Sequence, residues 1–125
     1  MDENRISGIV LDRALHIHRG VGSGLLESVY ERLLEHELKA AGLRVRRQVE
    51  VPLVWKGVRI ERAFRADLVV EHRVLVEIKS IDALSPVHRK QVLTYVKLSA
   101  LKLGLLINFG APVLKDGFVR LVNGL

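Results

Sequence analysis

The sequence predicts an α/β fold in which a mixed β-sheet is flanked by helices. Two segments with helical spacing of apolar residues come first, strand-like segments follow, and a further helix separates these from an apolar run at 103–109. A crossover helix makes the next strand parallel to a neighbour, whereas strands joined by a hairpin are antiparallel. The expected order is therefore α-α-β-β-β-α-β.

The helical segments are bounded by residues that start or stop helices. Ser7 is expected to cap a first helix over 8–19, which the glycine-rich stretch 20–24 ends. A second helix is expected over 25–41, because apolar residues recur there every three or four positions and a glycine follows. A third is expected over 86–101, since its first residue, a proline, is tolerated in a first turn.

The strand-like segments are rich in valine, leucine and isoleucine. The run at 103–109 is apolar throughout, which is typical of a strand buried on both faces. The polar stretch 71–73 predicts a hairpin turn. With 125 residues and no internal repeat or linker, the chain is expected to form one domain. Strands are expected at 47–55, 58–62, 64–70, 74–80 and 103–109, with a short final strand at 118–122.

The composition of the chain argues against several classes of protein. Half of the residues are apolar, which argues against disorder, and the absence of cysteine excludes disulfides and cysteine-based zinc sites. The N-terminal residues lack the features of a signal peptide and no apolar run is long enough to span a membrane, so a cytoplasmic protein without a membrane partner is expected. The net charge of +6 favours a polyanionic partner such as nucleic acid, although modest positive surpluses also serve solubility.

Charged residues stand among apolar neighbours in the segments 64–70 and 74–80. Asp67, Glu77 and Lys79 need partners, a metal or a cleft if these strands are buried. Glu77 and Lys79 share one strand face, and a tight turn would bring Asp67 opposite or near Glu77. Clustered carboxylates suit Mg²⁺ or Mn²⁺, and a nearby lysine can hold a water or a phosphate oxygen. These are the parts needed to hydrolyse a phosphodiester; the alternative is a half-solvated hairpin with cross-strand ion pairs.

Two helical pairs add polar groups. Glu27 and Tyr30 lie one turn apart on the second helix, and Gln91 and Tyr95 share a face of the third. Each also has an ordinary explanation. An acid is favoured near a helix start, tyrosines are often core residues with a bonded hydroxyl, and a glutamine is often solvated.

Taken together, these residues carry a family resemblance. The segment Gly24-Leu25-Leu26-Glu27-Ser28-Val29-Tyr30 resembles the defining pattern of the GxxExxY proteins, a small family of the PD-(D/E)XK nuclease superfamily. The resemblance covers nearly the whole chain in order. It continues through Arg65-Ala66-Asp67-Leu68, Val76-Glu77-Ile78-Lys79, Ser85-Pro86-Val87-His88, Gln91-Val92-Leu93-Thr94-Tyr95 and Gly104-Leu105-Leu106-Ile107-Asn108-Phe109-Gly110.

The resemblance implies a restriction-endonuclease-like core with a metal site. Asp67, Glu77 and the backbone carbonyl of Ile78 would ligate Mg²⁺ or Mn²⁺, and Lys79 would orient or activate the attacking water. Glu27 would correspond to the helix acid that many members bring to the metal directly or through water. Ala66 replaces the usual proline before the first acid, which removes no ligand.

The third helix carries the last part of the resemblance. Gln91 and Tyr95 are similar to the glutamine-tyrosine motif of the RecB-like and lambda-exonuclease-like branch, where these residues help to position the metal site and the phosphate. The implied function is a metal-dependent nuclease acting on DNA, with RNA as the alternative. A rival interpretation is a nucleic-acid-binding or regulatory module that lacks turnover, or that needs a homodimer or a protein partner. A purely structural interpretation treats the acids as surface ion pairs.

Overall fold

The computed structural model describes all residues from Met1 to Leu125. Its five strands form one sheet in sequence order, in which β3 and β4 are parallel and every other neighbouring pair is antiparallel. The mixed sheet and the order of elements confirm the expected fold class. The elements are α1 (Glu3–Val21), α2 (Glu27–Ala40), β1 (Val45–Trp55), β2 (Val58–Val70), β3 (Val74–Lys79), α3 (Pro86–Leu98), β4 (Leu103–Asn108), a short 3-10 helix (Leu114–Gly117) and β5 (Phe118–Val122).

Helices cover both faces of the sheet and divide the core in two. The larger cluster lies under α1 and α2 and includes β3 and β4 residues such as Val76 and Leu105. The smaller cluster joins α3 to the opposite face through Val92, Val96 and Leu106. Because α3 is the crossover between β3 and β4, it makes these two strands parallel.

The first helix begins earlier than expected. It starts at Glu3, and the side chain of Asp2 rather than Ser7 caps it by accepting a hydrogen bond from the Arg5 amide, 2.8 Å away. Ser7 is buried inside the helix, so its expected role as the cap is wrong. The reason is that the buried face extends back to Ile6, one turn before Val10.

Two other differences from the expected elements are larger than one or two residues. The third helix ends at Leu98 rather than residue 101, because Ala100 adopts a left-handed φ of 56° that stops the helix. The segments 58–62 and 64–70 form one continuous strand, β2. The hairpin turn expected at 71–73 is present: Val70 pairs with Val74, the Arg73 amide donates to the Val70 carbonyl at 3.0 Å, and Glu71 and His72 have positive φ.

Only the inner part of β2 has a neighbouring strand on both sides. It pairs with β3 from Leu68 to Val70, whereas the outer part pairs with β1 alone. Beyond the register shift between Val51 and Leu53, the two strands continue as a ribbon closed by the turn Lys56-Gly57. We call residues 53–60 the hairpin arm.

Two glycines allow close approaches that fix the other side of the sheet. A Cβ on Gly104 would lie 2.5 Å from Cγ2 of Val96, so α3 packs directly on the backbone of β4. A Cβ on Gly110 would lie 2.6 Å from the backbone nitrogen of Ile81, in the loop that follows β3. The end of β3 is therefore packed against the end of β4.

Candidate active site

Strands β2 and β3 separate at the two acids. Their backbone pairing ends at Leu68 and Val76. Beyond it the Asp67 carboxylate accepts a hydrogen bond from the Ile78 amide, 2.8 Å away, and the Glu77 carboxylate accepts one from the Asp67 amide at 3.3 Å. The side chains of Asp67 and Glu77 thus take the place of the next backbone hydrogen bonds, and the structure brings the two acids together.

A local distortion accompanies this separation. Ideal alternation would put Phe64, Ala66 and Leu68 on one face of β2. Instead Phe64 and Ala66 pack with α3, whereas Leu68 packs under α1 and α2. On β1 the residue opposite Asp67 is Gln48, which has a left-handed φ of 55°. The change of face therefore occurs at Gln48 and Asp67, where the strands fork.

Burial strongly raises the pKa of one acid of the pair, Glu77. Glu77 is 8% exposed. Burial, then the negative charge of Asp67 and a hydrogen bond between the two carboxyl groups, raise the pKa of Glu77 to about 9, and the charge of Lys79 opposes the rise. A pKa in this range keeps a proton on Glu77 at neutral pH when no cation is bound. A bound cation can take the place of that proton.

The donors at the fork fit Mg²⁺ or Mn²⁺. Both side chains offer oxygen, and Mg²⁺ sites in proteins commonly use one or two carboxylates together with waters or phosphate oxygens. The Ile78 amide points towards Asp67, and in an extended strand the carbonyl of the same residue lies on the same edge. No group of three histidine, cysteine, aspartate or glutamate side chains is arranged to hold a metal ion. Any further ligands would come from the main chain, water or substrate.

Lys79, Tyr95 and Gln91 lie on the α3 side of the fork. Lys79 lies on the same face of β3 as Glu77. It is half-buried and takes part in none of the ion pairs. Tyr95 stacks on Phe64 with ring centroids 4.0 Å apart. Burial and then the charge of Glu77 raise the pKa of Tyr95, while Gln91 opposes the rise. The four polar side chains therefore share one environment, in which Gln91 is the most exposed; they are Glu77, Lys79, Gln91 and Tyr95.

The chain is similar to a known protein family. The family model of the PD-(D/E)XK nuclease superfamily matches residues 4–121. The chain belongs to this superfamily. Members of this superfamily are generally nucleases, which implies a nucleic acid substrate. No curated protein and no solved structure matches the chain. None of its helices combines the length and apolar character that crossing a membrane requires.

In this superfamily member, Glu27 meets the end of β3 rather than the acid pair. Its carboxylate accepts a hydrogen bond from the Ser80 amide, 3.1 Å away, and the Ser80 hydroxyl donates to the Leu25 carbonyl at 2.7 Å. An open cleft of about 540 Å³ lies here, between the start of α2 and Ser80. Glu27 is thus connected to Lys79 through the adjacent residue, and it is not grouped with Asp67 and Glu77.

Tyr30 holds the loop before α2. It is fully buried, its ring stacks on Phe109, and its hydroxyl donates to the Gly22 carbonyl at 2.6 Å. The same hydroxyl accepts from the Leu25 amide. Gly24 has a φ of 102°, which favours glycine. The three residues Gly24, Glu27 and Tyr30 therefore fix the loop against β3.

Glu31 is a further buried acid near the fork that the sequence patterns did not identify. It is buried on α2 and accepts hydrogen bonds from Arg47 at 3.1 Å and from the Gln48 amide group at 2.6 Å. Burial raises the pKa of Glu31, and the charge of Asp67 raises it further. A signal was present in the sequence: Glu31 falls at helical spacing with Leu34 and so lies on the buried face.

Asn108 was also missed. It pairs with Lys79 across β3 and β4 and is 1% exposed. Its Oδ1 accepts from the amides of Ile81 and Gly110, both at 3.0 Å, and its Nδ2 donates to the Ile81 carbonyl. Asn108 thus fixes the chain just beyond Lys79. The available signal was a polar residue at the end of an otherwise apolar strand.

Proposed function

We propose that this chain is a Mg²⁺- or Mn²⁺-dependent nuclease that hydrolyses phosphodiester bonds in DNA, with RNA as the alternative substrate. The observation that carries the proposal is the Asp67–Glu77 pair, in which burial and mutual repulsion hold a proton on Glu77. A buried acid beside a half-buried one is costly for a purely structural hairpin. Such a pair is useful where a divalent cation must be held.

The proposed roles follow from position. Asp67, Glu77 and the Ile78 carbonyl would hold the metal, which offsets charge on the phosphate and activates water. Lys79 donates to the attacking water or to a phosphate oxygen, where a fixed cation stabilises the developing negative charge. On α3, Tyr95 and Gln91 orient the phosphate. Their roles are supported by the shared environment of Tyr95 and Glu77.

We also propose membership of the GxxExxY family within the superfamily. Gly24, Glu27 and Tyr30 match its pattern, and each contributes to the loop contact at the end of β3. In this proposal Glu27 acts by fixing the Ser80 amide, and so the chain next to Lys79. It would reach the metal only through water or after a local change on metal binding.

Cleavage assays test the function directly. Labelled single- and double-stranded DNA is incubated with Mg²⁺ or Mn²⁺ and with the wild type, Lys79→Ala, Glu77→Ala or the control Lys115→Ala, which changes an exposed lysine of the 3-10 helix. We expect the wild type and the control to cut, and both site variants to lose at least about 100-fold in rate. Equal cleavage by Lys79→Ala and the wild type would contradict the assignment.

The rival function predicts a different outcome. A regulatory or partner-dependent module would bind metal and nucleic acid without cutting either form of DNA. Full wild-type metal binding with no cleavage would favour that rival, and the search would move to a homodimer or a protein partner that completes the site.

A further inference from the structure

The hairpin arm and the strand segments that lead to it form a basic surface. Residues 44–65 hold seven basic and two acidic residues, which leaves a surplus of five in a chain whose net charge is +6. Both acids are already paired, Glu61 with Arg59 at 2.7 Å and Glu50 with Arg62 at 3.2 Å. The exposed side chains of Arg46, Lys56 and Arg65 make no ion pair.

The tip of the arm is apolar as well as basic. Trp55 is 65% exposed, and Val58 opposite it is 57% exposed. Leu53 and Ile60 form the next pair on the same face of the ribbon. The Lys56 ammonium lies 5.3 Å from the Trp55 ring centroid, so a cation accompanies the exposed indole. An exposed apolar face with this charge indicates a binding surface.

We propose that the hairpin arm binds duplex DNA by entering the major groove, with the basic residues of 44–65 on the phosphates and Trp55 at the tip. This inference rests on the proposed nuclease function and names the form of its substrate. A two-stranded β-ribbon is one of the two elements that the major groove of B-form DNA admits. The major groove of A-form RNA is too narrow for it.

The distance between the arm and the acid pair allows a single duplex to contact both. Val58, at the turn, and Asp67 lie on the same strand, nine residues apart. At about 3.3 Å per residue the separation is at most roughly 30 Å, close to the ~34 Å of one turn of B-form DNA. A duplex held at the acid pair can therefore extend along the ribbon.

Other occupants fit less well. Single-stranded nucleic acid is usually held on several stacked aromatic rings, whereas Trp55 is the one aromatic side chain among the exposed large hydrophobic residues. A second copy of the chain would bring two basic arms together, and like charges at an interface are repelled. Duplex DNA is the partner that matches both the charge and the shape.

Trp55 is the only tryptophan of the chain, so its fluorescence reports on the arm tip alone. Metal-free protein is titrated with a DNA duplex, its single strand and an RNA duplex of the same sequence. We expect the DNA duplex to change Trp55 emission at the lowest concentration. A stronger response to the single strand or to the RNA duplex would overturn the proposal. So would an emission change on raising the protein concentration without DNA, because that result indicates self-association.

A matched pair of charge reversals tests the phosphate contact. Lys56→Glu changes the arm and Lys115→Glu changes an exposed lysine elsewhere by the same charge. By anisotropy of labelled duplex, we expect Lys56→Glu to weaken binding roughly tenfold and to lower the salt slope by about one. Lys115→Glu should leave both unchanged. Equal effects of the two variants would overturn the arm assignment.

The same samples separate failure of the arm from failure of the nuclease function. When Mg²⁺ is added, cleavage that is insensitive to Lys56→Glu and Trp55→Ala would leave the nuclease function standing and reject the arm. Arm-dependent duplex binding without any cleavage would keep the arm and reject the nuclease function.

Discussion

The inner part of strand β2 is buried in the sheet, whereas its outer part is exposed to solvent. From Leu68 to Val70 the strand lies between β1 and β3, and Leu68 and Val70 are fully buried. From Val58 to Ala63 the strand is exposed and pairs only with β1. Next to the inner part, Asp67 lies beside the buried Glu77 of β3, whose pKa is raised. The outer part lies away from the hydrophobic core, and its charged side chains are exposed to solvent.

The largest difference between the two parts should appear in stability. We expect Leu68→Ala to lower the free energy of unfolding by ~3 kcal/mol, because it leaves a cavity under α1 and α2. Ile60→Ala, on the same strand but 47% exposed, should change it by about 0.5 kcal/mol or less. Urea unfolding of both variants measures the contrast. Similar losses would mean that the arm is packed in solution.

A second comparison tests how tightly the end of β3 is held. Gly110→Ala should cost about 2 kcal/mol, because the added Cβ meets the backbone of Ile81 and neither segment can shift easily. Gly8→Ala is the matched control, since nothing lies within 4 Å of its added Cβ in the middle of α1. It should stabilise the protein by roughly 0.5–1 kcal/mol. A neutral Gly110→Ala would show that the loop after Lys79 moves freely.

A smaller effect concerns pH. The raised pKa of Glu77 means that its contribution to stability is complete below pH ~4.5 and is lost as the pH rises through about 9. Glu77→Gln removes this loss, so without metal the variant should gain on the wild type by about 1 kcal/mol between pH 7 and pH 8. Urea unfolding in a chelator at these two pH values measures the gain. Glu31, whose pKa is also raised, is present in both proteins and cancels. Parallel stability curves would refute the raised pKa.

The sequence was sufficient for those features that follow from regular spacing. Helical and strand periodicity predicted the mixed sheet, and the tight turn after Val70 placed Asp67 beside Glu77. The separation of β2 and β3 at the two acids could not be predicted from the sequence, because it coincides with the left-handed Gln48 of a different strand. The continuity of β2 was missed for a similar reason, since pairing with β1 carries it through a polar stretch.

The supporting contacts were harder to predict than the acids. Glu31 and Asn108 act through residues far away in the chain, Gln48 and Ile81, so no local pattern identifies their partners. Glu27 illustrates the same limit. Its place in the motif was recognisable, but its contact with Ser80 depends on how α2 meets the end of β3.

The most direct test of the central claim is calorimetric titration of Mn²⁺ into the protein at pH 7.5, in buffers of different ionisation enthalpy. If the ion replaces the proton on Glu77, the wild type should release about one proton per bound ion. Glu77→Gln should bind more weakly and release none. Binding that releases no proton from the wild type, or that is unchanged in Glu77→Gln, would contradict a metal site at the Asp67–Glu77 pair.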